Sequence, residues 1–88
     1  MILTAQELGA INVTLVTQAP EVDDRSVAKD IFLLLKDHID DKTHHFKDGE
    51  MELSVPERAF LLKIIPLVPW MTPQLIEFVD PLLVKLNA

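Results

Sequence analysis

Three imidazoles and six carboxylates fall within one stretch, KDHIDDKTHHFKDGEMEL, from Lys36 to Leu53. His38, His44 and His45 beside Asp and Glu are the residue types that hold zinc or another divalent ion. The spacing serves that chemistry poorly. Adjacent histidines on an extended chain point to opposite sides, so only one of His44 and His45 can join His38. The i, i+4 histidine pair of a helical zinc site is absent. A calcium loop with Gly49 at its sixth position would put His44 first, and calcium sites take oxygen rather than imidazole there. A metal site is therefore the remotest reading of His38, His44 and His45. The plainer one is a solvated acidic loop with His38 half-buried on its helix, and no cofactor is implied.

The same carboxylates offer acid/base pairs, Asp37 with Asp41 or Asp40 with Glu50. Such pairs work only in a concave pocket that perturbs their pKa values. A chain of 88 residues with two glycines and no cysteine has neither a phosphate loop nor a Cys nucleophile. The reading is a non-enzymatic protein.

Charge narrows the partners. The net charge is −6, which argues against direct nucleic-acid binding. Between Glu21 and Glu57 there are eleven acidic and five basic residues, so the whole excess lies in that segment. Asp23, Asp24, Asp30, Asp37, Asp40, Asp41, Glu50 and Glu52 form a candidate face for a basic protein groove, one that otherwise holds nucleic acid. Small size, acidity and the lack of cysteine are similar to accessory proteins of phages and other mobile elements, although no motif carries that likeness.

The elements that position these residues read as helices. Thr4 to Glu7 has the spacing of a capping box and opens a helix over about 5–18, with Leu8, Ile11 and Leu15 on one face. Pro20 ends it. A second helix, about 22–41, has Glu21, Asp23 and Asp24 at its positive end and Val27, Ile31, Leu34, Leu35 and His38 on its apolar face. Residues 43–53 change period, and Asp48-Gly49 signals a short hairpin or an extended loop. Ser54 to Glu57 is a second capping box, with proline in the first turn of a helix over about 55–65. Thr72-Pro73 starts the last helix, 73–87, which either kinks near Pro81 or is recapped by Asp80. The fold expected is all-α: a single domain, 1–88, of four helices with a hairpin or loop between the second and third.

Residues 64–73, IIPLVPWMTP, lie between two capped helices. Their prolines forbid helix continuation, and Trp70 plugs the corner with its indole N–H on a carbonyl. No apolar run nears the roughly 20 residues of a membrane span, and Met1 to Gly9 lacks a positive signal-peptide region; a cytoplasmic protein is expected. From Leu53 to Leu86, 20 of 34 residues are apolar, more than a small core is expected to absorb. Phe60, Leu61, Ile64, Leu67, Val68, Trp70, Ile76, Val79 and Leu83 are therefore the candidate interface. The leading expectation is a protein-interaction module that self-assembles into a dimer or larger homo-oligomer through this half. The alternative is the acidic inhibitor or adaptor.

Overall fold

The computed structural model describes the backbone of residues 1–70 and 73–88, and the side chains of 1–70 and 76–88. Four helices follow one another: α1 (Ala5–Thr17), α2 (Arg25–Lys36), α3 (Val55–Ile64) and α4 (Pro73–Asn87). Two short strands, β1 (Ile2–Leu3) and β2 (Gly49–Glu50), complete an all-α domain.

Both capping boxes form. Thr4 Oγ1 accepts from the Glu7 N–H at 3.2 Å, and Glu7 Oε1 accepts from the Thr4 N–H at 2.9 Å. Ser54 and Glu57 repeat the exchange at the start of α3. Each box satisfies two of the backbone donors that a helix start leaves free. The cap expected at Thr72 lies outside the described residues. Pro81 is inside α4, which continues through it rather than ending at Asp80.

α2 is shorter than its sequence suggests, beginning after a 3-10 turn at Val22–Asp24 and stopping at Lys36 instead of near Asp41. The cause of the early stop is local. Asp37, His38 and Ile39 donate to carbonyls only three residues back, which tightens the last turn. Ile39 then pairs with Phe46 across an antiparallel bridge. The reversal between them runs over Asp40 to His45, with His44 left-handed at φ 58°. Asp48-Gly49 is not the turn. Gly49 has no positive φ, and β2 pairs antiparallel with β1, Ile2 opposite Glu50 and Leu3 opposite Gly49. The loop is thus extended onto the amino terminus, where Asp48 Oδ1 accepts from the Ala5 N–H at 2.7 Å.

The core joins Leu3, Leu8 and Ile11 to Ile31 and Leu35, Met51, Leu61 and Ile65, Leu82 and Leu86. α3 touches α2 on one side and α4 on the other, and α1 closes against both. Packing on two sides buries Phe60, Leu61 and Ile64 of α3, while Val55, Ala59 and Lys63 face outward. Among the described residues no helix is long and apolar enough to cross a membrane.

Candidate functional site

The interface expected from the sequence divides in two. Phe60, Leu61, Ile64, Val68 and Val79 are buried inside the chain's own fold and are not available to a partner. Leu67 and Ile76 are 64% and 45% exposed, while Trp70 and Leu83 are half-buried. The reason is that α3 packs between α2 and α4 while α1 closes against those two helices, so the domain absorbs more of its carboxyl-terminal half than its length suggested.

The acidic candidates are scattered along α2 and the following loop, and several have structural partners. Asp24 pairs with Lys63 of α3 at 2.6 Å, and this bond raises the Lys63 pKa. Asp40 accepts the N–H groups of Lys42 and Thr43 at 2.8 and 3.1 Å, which hold its carboxyl below the ordinary value. Asp23, Asp30, Asp37, Asp41, Glu50 and Glu52 are exposed. Among the described residues no three His, Asp or Glu side chains gather as a metal would require. His44 and His45 are exposed. His38 Nδ1 lies 3.1 Å from the Leu34 carbonyl oxygen and Nε2 lies 2.8 Å from that of Glu50. Both partners are carbonyl oxygens, so each nitrogen faces an acceptor.

An apolar groove lies elsewhere, between α1 and α4. A groove of about 280 Å3 is walled by Gln6, Gly9, Ala10, Val13, Trp70 and Phe78. Trp70 is fixed at its end: Nε1 donates to the Ile65 carbonyl at 2.9 Å, and the backbone N–H donates to Val68 at 2.9 Å. With its only polar atom satisfied, the indole presents hydrocarbon to the groove. Gly9 makes the floor. A Cβ built on it would meet nothing within 4 Å, so no internal contact requires glycine there. In mid-helix glycine costs about 0.5–1 kcal/mol relative to alanine.

A second cleft of about 260 Å3 adjoins the first, and Gln6 and Phe78 wall both. Its charged wall is Glu7, Glu77 and Lys85. Glu7 is 3% exposed. Its Oε1 receives the Lys85 ammonium at 2.6 Å, tying α1 to α4, while its Oε2 is buried with no hydrogen-bond partner among the described residues. Pro81, also on this wall, has no N–H to give to the carbonyl of Glu77 one turn earlier.

Sequence reasoning missed Glu7, Gly9, Val13, Glu77 and Phe78. One signal was present: a glycine inside a well-capped amphipathic helix asks for a packing or functional reason. The chain matches no protein family, no curated protein and no solved structure.

Proposed function

We propose that the protein is a non-enzymatic protein-binding module that takes an apolar side chain of a partner into the groove over Gly9. The observation that carries this reading is the glycine itself: it weakens α1, leaves room where a Cβ would meet no described atom within 4 Å, and keeps open a mostly apolar groove. Concave, mostly apolar sites with few polar groups are the usual form of a binding pocket, and helix-in-groove or side-chain-in-groove docking is a common mode of peptide recognition.

Trp70, the chain's single tryptophan, makes the test direct. Acetylated peptides carrying one leucine or phenylalanine are titrated while indole emission is followed. The expected result is a saturable shift, weakened at least about tenfold in Gly9→Leu, whose side chain fills the floor. Because leucine favours helix where glycine does not, Gly9→Leu should melt no lower than the parent, which separates blocked binding from lost folding. Equal binding by Gly9→Leu overturns the reading.

Self-assembly is a second reading, favoured by Ile76 and Phe78, which stand 45% and 38% exposed on α4. In a two-fold dimer these side chains would enter the groove of the other copy, and it theirs. Light scattering on a sizing column tests it: a dimer that becomes monomeric in Gly9→Leu supports it, and a monomer at all concentrations removes it.

A further inference from the structure

We infer that the cleft beside the groove is an arginine site, so that the partner segment carries a guanidinium next to its apolar anchor. This rests on the groove reading and names the partner's chemistry. Three acceptors belong to two residues that line this cleft, Glu7 and Glu77. Glu7 Oε2 is buried and unpartnered among the described residues. The Glu77 carbonyl lacks the helical N–H that Pro81 cannot supply. The Glu77 carboxylate is itself exposed, and that residue lines the same cleft.

Lys85 answers one oxygen of Glu7, which leaves two carboxylates facing one ammonium. The missing complement is therefore cationic and rich in donors. A guanidinium carries five N–H groups in a planar fork, enough to reach more than one of these oxygens at once. Its flat face also stacks on an aromatic ring, and Phe78 walls both clefts. An ammonium is a compact, strongly hydrated point charge without that fork. The shared wall of Gln6 and Phe78 sets the anchor and the arginine close together on the bound segment.

The experiment compares acetyl-Leu-Arg-amide and acetyl-Leu-Ala-Arg-amide with the same peptides bearing citrulline, whose urea keeps the shape and removes the charge. Trp70 emission reads the groove at low salt. The better-spaced arginine peptide should bind about tenfold tighter than its citrulline twin, the scale of a charge-assisted hydrogen bond. In Glu77→Gln that preference should fall below about threefold. Glu7→Gln should reduce it too, but that variant also loosens the pair with Lys85, so Glu77→Gln carries the test. Glu52→Gln, on the acidic loop, should leave the preference unchanged.

Equal binding of arginine and citrulline peptides to the parent overturns the arginine site and leaves the groove standing. A preference that survives Glu77→Gln and Glu7→Gln overturns it as well, because the charge then comes from elsewhere on the acidic surface. Saturable binding by neither peptide removes the groove reading along with it.

Discussion

Around Gly9 a missing side chain leaves space that no described residue fills, whereas around Gly49 that space is already taken. A Cβ on Gly9 would meet no atom within 4 Å, while one on Gly49 would lie 2.7 Å from His38 Cδ2. These are the only two glycines in the protein. At neither does a positive φ require glycine, so neither is explained by backbone freedom. Gly49 is set by an internal contact: the imidazole spans from the Leu34 carbonyl to that of Glu50, and it crosses directly over β2. Gly9 has no internal contact to explain it. One residue type thus marks a closed joint at β2 and an open groove along α1.

The largest effect expected from this contrast is at the closed joint. Gly49→Ala forces either the ring or β2 to move. Each ring nitrogen lies against a backbone carbonyl, so the ring cannot swing aside without giving up that contact. Overpacking of this kind costs about 1–3 kcal/mol, a melting drop of about 4–8 °C per kcal/mol in a domain of this size. The clash should vanish in a His38→Ala background, where adding Gly49→Ala costs markedly less than in the parent. Urea denaturation of the four proteins in that cycle reads the coupling. Additive costs would show that His38 is not what excludes the side chain.

Much of the fold was legible because it is written in short-range signals. Thr4 with Glu7, Ser54 with Glu57, and the prolines after α1 and α3 act within a few residues of their own positions, and the helices start where those signals say. The indole N–H of Trp70 was equally readable, since a buried donor must find an acceptor. What was not readable depends on what the far side of an element meets. Asp48-Gly49 carries a turn signal, yet Asp48 caps α1 and Gly49 joins β1, and both partners lie more than forty residues away. The two capping boxes show the same limit. They look alike in sequence, but Glu7 is buried on Lys85 of α4 and Glu57 is half-exposed. The apolar run from Leu53 to Leu86 pointed to an interface because its total was legible, while the packing of α3 between α2 and α4 was not. The candidate site was hidden for that reason: its groove exists only between α1, Trp70 and α4.

A smaller effect of opposite sign is expected at the open groove. Gly9→Ala puts a methyl group into free space and should stabilise the domain by about 0.5–1 kcal/mol through helix propensity and a less flexible unfolded chain. Thermal melting measures it. The two glycine-to-alanine changes should therefore move the melting temperature in opposite directions. A loss of stability in Gly9→Ala would mean that the groove is occupied by the chain itself, and the contrast would collapse.

The smallest effect sharpens the comparison by asking whether the two glycine sites are independent. The Asp40 carboxylate accepts the Lys42 and Thr43 N–H groups, and these bonds lower its pKa from the ordinary 3.8. The folded chain therefore favours the charged form more than the unfolded chain does. That contribution is complete above the ordinary carboxylate value and is lost as pH falls through the lower, folded one. Between about pH 5 and about pH 2 the amides of Lys42 and Thr43 should lose hydrogen-exchange protection, after correction for the intrinsic rate. Asp40→Asn keeps an oxygen acceptor without the charge, so in that variant this pH dependence should disappear. Asp40 is on the turn that returns the chain to Phe46, next to His38 and remote in sequence from Gly9. If the two sites act separately, the amide of Gly9 and the indole of Trp70 should show no step that Asp40→Asn removes. A matching step at Trp70, abolished by Asp40→Asn, would instead mean that the joint at Gly49 and the groove over Gly9 open together, linked through β1 and the start of α1.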